Sequence, residues 1–179
     1  MASPLPERVP SGRLEIRVWQ PDDAAALVRA VTANVDHLRP WMPWIAQEPS
    51  SVEDRLALFS AWEEARQAGT DATYGLFLDG AVVGCTGLHG RIGPGGLEIG
   101  YWVTADHTRQ GLATEAARAL THVTAARPGI ERVEIHHDQD NVASAGVPAA
   151  LGYELVERRA VEPTAPAESG VHWIWRRAV

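Results

Sequence analysis

A short polar segment follows an apolar run, opens a predicted helix, and has residue types that suit anion binding. It consists of Arg109, Gln110, Gly111, Leu112, Ala113 and Thr114. The first amides of a helix lack partners and carry a partial positive charge, so an anion can bind there when no side chain blocks its approach. Gly111 and Ala113 keep that approach open, and Arg109 and Gln110 add donors at its rim. The segment predicts a phosphate or pyrophosphate site, where each charge-assisted hydrogen bond contributes roughly 1.5–3 kcal/mol.

Two common phosphate-binding patterns are excluded by the residues that are available. Every basic residue of the chain is arginine, so the lysine of a P-loop and the amine for Schiff-base chemistry are both missing. The dinucleotide pattern G-x-G-x-x-G needs three glycines near the first strand, whereas this segment has one glycine and lies deep in the chain. A helix start that contains glycine without binding a ligand stays open as the alternative.

Length, composition and charge place the chain among ordinary globular proteins. Its 179 residues, 45% of them hydrophobic, suffice for one domain with a core. The net charge of -7 argues against nucleic-acid binding and is compatible with a cationic substrate. No apolar run approaches the roughly 20 residues that cross a bilayer, so we expect no membrane partner.

The N-terminal segment and the cysteine content indicate where the protein works. Residues 1–12 are rich in Pro and Ser and lack the apolar stretch of a secretory signal. We therefore expect a flexible lead-in at 1–12 and a single domain at 13–179. Cys85 is the only cysteine, cannot form an internal disulfide and lies in an apolar segment typical of a buried strand. These features favour a cytoplasmic protein.

Hydrophobic periodicity and turn residues predict a mixed order of elements, β-α-α-β-β-β-α-β-α-β-β. Apolar residues at helical spacing predict one helix over 20–38. Ser51 is suited to cap a second helix, which Gly69 ends. Asp79 and Gly80 predict a hairpin turn between two strands. A mixed sheet with helices on both faces is the natural packing of such elements.

Several motifs, in their order along the chain, resemble those of the GCN5-related N-acetyltransferases, and within that family those of the RimJ/RimL branch. The family's pyrophosphate loop, [Arg/Gln]-x-x-Gly-x-[Gly/Ala], matches at Gly111 and Ala113, whereas Thr108 stands at its first position. The segment "DNVASAGVPAALGYELVER", residues 140–158, looks like the family's Asn-x-x-Ser followed by a helix with a Leu-Gly-Tyr close. The segments "LRPWMPW" and "EIGYWV" resemble the RimJ/RimL branch. The resemblance extends over 13–177.

This resemblance implies an α/β acyltransferase fold with a mostly antiparallel central sheet and helices on both faces. It implies acetyl-CoA as co-substrate and direct transfer of the acetyl group to an amine in a ternary complex. In the family one strand splays from the next, and the pantetheine arm pairs with the freed backbone. Val103 and Thr104 match that strand end, and residues 109–114 match the diphosphate loop. Asn141 is implied either to bond the pantetheine amides or to cap the short helix.

The implied chemistry needs a proton acceptor and a polar group near the leaving sulfur. A carboxylate can take the proton of the amine, so Glu98 is the candidate, with a solvated strand residue as the alternative. We expect Glu98→Gln to lower the rate and flatten its pH dependence. Many relatives place a tyrosine on the last helix where Pro148 stands here, and Ser144 matches a serine near the sulfur or caps the helix. His136 and His137 face opposite sides of a strand, so one of them can reach the cleft.

The resemblance leaves the acceptor open between a protein N-terminus and a small amine. Trp41, Trp44 and Trp102 are the expected walls of its pocket. A catalytically silent acyl-CoA-binding sensor or regulatory domain is one alternative. An enzyme that uses a longer acyl-CoA such as succinyl-CoA is another, and it would need a basic group near the acyl tail. No Cys/His cluster has metal-ligand spacing, so we expect no metal. Relatives are commonly dimeric, so a homodimer is a further expectation.

Overall fold

The computed structural model describes residues 3–179, and Met1 and Ala2 of the expected lead-in lie outside the described residues. The described strands are β1 Arg8–Val9, β2 Glu15–Val18, β3 Asp71–Leu78, β4 Ala81–His89, β5 Gly96–Val103, β6 Arg132–Asp138, β7 Glu154–Ala160 and β8 Val171–Ala178. They form one 8-stranded sheet in the order β1-β2-β3-β4-β5-β6-β8-β7. Neighbouring strands are antiparallel, except that β5 runs parallel to β6.

Helices cover both faces of this sheet. The described α-helices are α1 Ala24–Thr32, α2 Val35–Leu38, α3 Val52–Ala68, α4 Leu112–Ala125 and α5 Val142–Ala150. Short 3-10 helices lie at Pro21–Asp23, Pro43–Gln47 and Ala105–His107. On one face α4 and α5 bury a core that includes Leu76 and Leu120, and on the other α1 and α3 pack Phe59 near Phe77. The predicted α/β fold, a mostly antiparallel sheet with helices on both faces, is confirmed.

The predicted cap and end of the second helix, and the predicted hairpin turn, are all present in the structure. The Ser51 side chain accepts from the Asp54 amide, and the Asp54 carboxylate accepts in return from the Ser51 amide at the start of α3. Gly69 ends α3 in the left-handed conformation with φ 74°. Asp79 and Gly80, with φ 49° and 81°, connect β3 to β4. Two residues with positive φ give the turn whose twist matches antiparallel strands.

The single helix predicted over 20–38 is not observed. The segment forms a short 3-10 helix followed by α1 and α2, and Asn34 lies between α1 and α2. The Asn34 Nδ2 donates to the carbonyl of Ala30 at 2.8 Å, and its Oδ1 accepts from the amide of Ala105 at 2.7 Å. A side chain that bonds nearby backbone in this way competes with the helical ladder. The division therefore ties the end of α1 to the segment that follows β5.

The N-terminal segment is packed against the domain and is not a flexible lead-in over its described part. Leu5 is fully buried, its amide donates to Arg66 O at 3.1 Å, and its carbonyl accepts from the Arg66 guanidinium. The Tyr74 hydroxyl donates to Pro6 O at 2.9 Å, and β1 pairs with β2. The structure therefore moves the start of the domain to Leu5 or earlier. A Pro-rich composition hides this because one buried leucine leaves no periodic signal.

Leu5→Ala tests this correction through the stability of the fold. Because the side chain is fully buried, we expect the free energy of unfolding to fall by about 2–4 kcal/mol, measured by denaturant titration. Leu56→Ala, at a leucine 36% exposed on α3, is the matched control and should cost far less. A Leu5→Ala variant as stable as the control would restore the flexible lead-in.

Candidate active site

The predicted anion-binding segment forms an open turn at the start of α4. Gly111 is the N-cap residue with φ 77°, and no side chain caps the helix. Arg109 also has a positive φ, 61°, and alternation of this kind turns successive amides toward one side as an anion-binding nest. The amide of Glu115 donates to Gly111 O at 2.9 Å. It is the first amide after Arg109 for which the structure gives a backbone acceptor. The amides of Ala113 and Thr114, in the first turn, thus remain available.

The side chains of this segment are arranged differently from the expectation. The Gln110 Nε2 donates to the carbonyl of Asp106 at 2.9 Å, so one of its two protons is engaged in holding the preceding turn. Leu112 is buried in the core and can offer only its backbone. Arg109 is exposed at the turn, as expected. The main chain therefore supplies most of the donors.

Arg13 flanks the same turn, a position that no pattern in the sequence predicts. Its guanidinium donates to Gln110 O at 2.9 Å and to the Glu115 carboxylate at 3.1 Å. A Cβ built on Gly111 would lie 3.8 Å from this guanidinium. Burial acts to raise the pKa of Glu115, but hydrogen bonds from Leu14 and Arg13 lower it overall, so the carboxylate stays ionised. No local signal could join Arg13 to a helix about 100 residues away.

The strands β5 and β6 separate part-way along their length. Their register covers only Gly96 with Arg132, Leu97 with Val133, and Glu98 with Glu134. Beyond this point β5 continues beside β4, and β6 continues beside β8. The splay that the family resemblance implies is therefore present, and it begins at Glu98.

The freed edge of β5 carries backbone groups that face the gap. The amide of Thr104 donates to Val83 O on β4 at 2.9 Å, and alternation along the strand turns the backbone of Val103 the other way. The Val103 carbonyl already pairs with His37 Nε2 at 3.2 Å, which leaves its amide free for a ligand. The Thr104 hydroxyl is paired with His107 Nδ1 at 2.8 Å. Of the two predicted cofactor contacts, Val103 is the better placed, since Thr104 has its amide and hydroxyl engaged.

A cleft of about 890 Å³ opens where the two strands part, and it gathers most of the predicted chemistry. The predicted site residues that line it are Glu98, Asn141 and Ser144. Its aromatic wall includes the three predicted tryptophans, Trp41, Trp44 and Trp102, and also Trp62. The rings of Trp44 and Trp102 lie 6.1 Å apart. The turn at 109–114 is outside this lining, beyond the far end of β5.

Glu98 is a buried and anchored carboxylate, not a solvated strand residue. It is 6% exposed and accepts two hydrogen bonds from Arg91, at 2.9 Å from Nε and 2.5 Å from a terminal nitrogen. Burial acts to raise the pKa of Glu98, but the hydrogen bonds and charge of Arg91 hold it below its ordinary value overall. The group is therefore ionised at neutral pH, and Arg91 was not foreseen from the sequence.

His136 stands between two carboxylates at the edge of the cleft. Its Nδ1 lies 3.7 Å from Glu98, and its Nε2 lies 2.7 Å from Glu134. An imidazole in this setting can accept a proton from the cleft while the carboxylates stabilise its charge. The sequence indicated only that one of two adjacent histidines could reach the cleft.

His137, although it also lines the cleft, serves the packing of β8. Its Nε2 accepts from Trp175 Nε1 at 2.9 Å, so its Nδ1 donates to the carbonyl of Asp138 at 2.7 Å. Burial is the main reason that the pKa of His137 is lowered, and the ring is neutral in this pairing. The histidine beside Glu98 is therefore His136.

The start of α5 places two further predicted residues at the gap. Asn141 is the N-cap of α5, and its Oδ1 accepts from the Ser144 amide at 3.2 Å, so the capping role is the one observed. The Ser144 hydroxyl lies 3.0 Å from the Tyr101 hydroxyl on β5. Pro148 is buried inside α5, at the place where relatives carry a tyrosine. Tyr101 was missed because only the packing of α5 on β5 reveals it.

Two kinds of feature are absent from the residues that the structure describes. Among residues 3–179, no group of three or more His, Cys, Asp or Glu side chains could hold a metal ion. None of the helices in this same range combines the length and the apolar character that crossing a bilayer requires.

Comparison with known families decides the class of the protein. The family model described as acetyltransferase (GNAT) domain matches residues 13–154. The chain belongs to the GNAT acetyltransferase family. It is an enzyme that transfers an acetyl group to an amine, and the alternative of a catalytically silent sensor is set aside.

One curated relative and two solved structures are similar to this GNAT chain. YdaF of Bacillus subtilis (strain 168), provisionally named a ribosomal N-acetyltransferase, is 28% identical over 142 residues, which cover 78% of this chain and 77% of YdaF. RimL, a ribosomal L7/L12 alpha-N-protein acetyltransferase solved with coenzyme A, has TM-score 0.87 and 23% identity, covering 97% of this chain and 98% of RimL. Mycobacterium smegmatis RimJ, solved with CoA-disulfide, has a TM-score of 0.84 and 24% identity. The match covers 99% of this chain and 87% of RimJ. The solved structures support the fold, and each of them was solved with a form of CoA.

Proposed function

We propose that this GNAT enzyme transfers the acetyl group of acetyl-CoA to the α-amino group at the N-terminus of a protein. The observation that carries the proposal is the cleft of about 890 Å³. Its lining includes Glu98, Trp102, Trp44 and Glu168, the last of which precedes β8. Small-molecule sites span about 300–1,000 Å³, so this cleft lies near the upper end of that range and can admit the first residues of a peptide as well as a small amine. The names of RimL and YdaF, both for acetylation of ribosomal proteins, support the same acceptor class.

The charge of the cleft supports a cationic acceptor. Five carboxyl side chains line it, Glu48, Asp54, Glu98, Asp138 and Glu168, against two arginines, Arg55 and Arg91. Each of the two arginines is already paired with a carboxylate. The remaining negative charge attracts an ammonium group. An α-amino group, with a pKa near 7.7–8.0, also loses its proton more easily than a lysine at about 10.4.

The acyl donor fits two features that would otherwise lack partners. The turn at 109–114, with the Arg13 guanidinium beside it, suits the diphosphate of CoA. The gap beyond Glu98 suits the pantetheine arm, whose amides can pair with the free edge of β5 at Val103. These two placements put the thioester in the gap, near Ser144 and open to the cleft.

The transfer then needs one proton acceptor and one donor to sulfur. His136 takes the proton of the ammonium, directly or through a water, and the ionised Glu98 stabilises the imidazolium. The neutral amine attacks the acetyl carbonyl carbon, a C–N bond forms, and the C–S bond breaks with its electron pair moving to sulfur. The nitrogen gives up its second proton to water as the amide forms, and the thiolate takes a proton from water. Ser144 donates a hydrogen bond to that sulfur. Glu98 and Ser144, the two predicted catalytic residues, thus act on opposite sides of the thioester.

An acetyl group fits this cleft better than a longer acidic acyl chain. A succinyl tail would need a free basic group, whereas Arg91 is held by Glu98 and Arg55 is held by Glu48. A new carboxylate near either pair would meet a site whose charge is already balanced. This arrangement favours acetyl-CoA over succinyl-CoA.

Turnover over matched acceptors tests the proposed acceptor class. We expect peptides with ribosomal-protein N-terminal sequences to release thiol from acetyl-CoA with a kcat/KM at least about tenfold above that for small polyamines. The matched control is the same peptide with its α-amino group blocked and an internal lysine retained. Mass spectrometry should place the acetyl group on the α-nitrogen. Preference for the polyamine, or equal turnover of the blocked peptide, would contradict the proposal.

The other expectations about partners and location stay predictions. A cytoplasmic enzyme would share a compartment with acetyl-CoA and ribosomal proteins, which suits the proposed reaction. A homodimer and the absence of nucleic-acid binding remain predictions from the family resemblance and from the net charge of -7.

A further inference from the structure

Two hydroxyl groups meet in the gap, three residues beyond the point where β5 leaves β6. The Tyr101 hydroxyl lies 3.0 Å from the Ser144 hydroxyl and 3.3 Å from the Ser144 carbonyl. Both residues line the cleft. The sequence offers no tyrosine on α5 itself, since Pro148 occupies that place, so β5 supplies a phenol from the opposite side of the gap.

The 3.0 Å contact between the two hydroxyls allows either group to donate, and their relative acidity favours the phenol as the donor. The Ser144 amide is held by Asn141, which anchors the first turn of α5, and the Ser144 hydroxyl meets the Tyr101 hydroxyl on β5. A phenol is more acidic than an alkyl hydroxyl and is the better donor of the pair. Burial raises the pKa of Tyr101 to about 12, so the phenol keeps its proton throughout the working range. With the phenol donating to Ser144 Oγ, the serine proton is free for another acceptor.

We propose that Tyr101 is a positioning residue that orients the Ser144 hydroxyl toward the sulfur of the leaving thiolate. The inference rests on the proposed function and names a residue beyond it. As the C–S bond breaks, the electron pair moves to sulfur, and the Ser144 O–H donates a hydrogen bond to it. The thiolate later takes a proton from water, so both hydroxyls end unchanged. A donor that itself accepts a hydrogen bond is strengthened, which is why removal of the phenol weakens the effect of Ser144.

Tyr101→Phe removes the hydroxyl and keeps the ring. A double-mutant cycle with Ser144→Ala then shows whether Tyr101 acts through Ser144. We expect kcat to fall about tenfold, less than the 10²–10³ of a directly acting donor, with KM for acetyl-CoA unchanged within about twofold. In the Ser144→Ala background the same change should have no further effect. Tyr153→Phe is the matched control, because the Tyr153 hydroxyl pairs with Thr121 at 2.6 Å in the core and should leave kcat unchanged.

A second measurement needs only CoA binding and so separates this inference from the proposed acceptor. The thiol of bound CoA, followed by the ultraviolet absorbance of its thiolate, should ionise at lower pH in the wild type than in Tyr101→Phe or Ser144→Ala. Equal thiol titrations in all three proteins would overturn the inference, as would additive effects of the two substitutions on kcat. Failure of every peptide acceptor with the thiol titrations as expected would instead refute only the proposed acceptor class.

Discussion

Gly111→Glu is expected to abolish CoA binding while the fold survives. The new carboxylate enters the open turn at the start of α4, where the diphosphate would otherwise accept from free amides. Two charge-assisted hydrogen bonds lost at roughly 1.5–3 kcal/mol each amount to a rise in Kd of at least about 100-fold. A non-glycine residue at φ 77° adds roughly 1–2 kcal/mol of backbone strain. Calorimetric titration with CoA measures the affinity, and thermal melting reports the fold.

Two further variants separate the charge from the strain. Gly129→Glu places the same side chain at φ 81° with no atom within 4 Å of its Cβ, so it should keep CoA affinity. Gly111→Asn tolerates the left-handed conformation without a negative charge and should weaken binding far less than Gly111→Glu. Wild-type CoA affinity in Gly111→Glu would show that the diphosphate binds elsewhere.

The parts of the site that the sequence predicted are those fixed by neighbours along the chain. The open turn follows from Gly111 next to residues with no capping side chain, and the helix start follows at once. The cap of α5 likewise depends on Asn141 and Ser144, three residues apart. Turn and cap geometry depends on a few consecutive dihedrals, so local residue types suffice to predict it.

The parts that could not be predicted depend on register between distant segments. Glu98 meets His136 only because β5 and β6 pair as far as Glu98 and then separate. Tyr101 meets Ser144 only because α5 packs against the freed part of β5. A shift of one residue in the pairing of β5 with β6 would turn the side chains of β5 to the opposite face, and no short pattern specifies that register.

The same limit applies to Arg91, and it changes the expected behaviour of Glu98. From the sequence, Glu98 read as the group whose own titration shapes the pH–rate profile. The pair with Arg91 holds the pKa of Glu98 below its ordinary value of 4.5. A carboxyl group with a depressed pKa contributes its stabilising interactions above the unfolded pKa and loses them as the pH falls through the folded value. Across neutral pH Glu98 is therefore ionised and does not titrate.

Glu98→Gln is accordingly expected to lower kcat by about 10²-fold, since the carboxylate that stabilises the transferred proton is lost. The acid limb of the pH–rate profile should persist but move to lower pH, because the group that takes up the proton loses the negative charge that favours its protonated form, and CoA affinity should be unchanged. The released Arg91, whose side chain is 64% exposed, can be hydrated and should not unfold the chain. Steady-state rates from pH 5 to 9 measure both features.

Glu63→Gln is the matched control, because it removes an equivalent carboxylate that accepts two hydrogen bonds from Arg66 outside the cleft. It should leave kcat unchanged within about twofold. A flattened acid limb in Glu98→Gln would mean that Glu98 itself titrates as the base and that the pair with Arg91 opens during turnover. Unchanged kcat in Glu98→Gln would remove this carboxylate from the reaction and leave His136 with Glu134 as its only stabilising partner. The rate and the position of the limb together therefore distinguish a fixed charge from a titrating base.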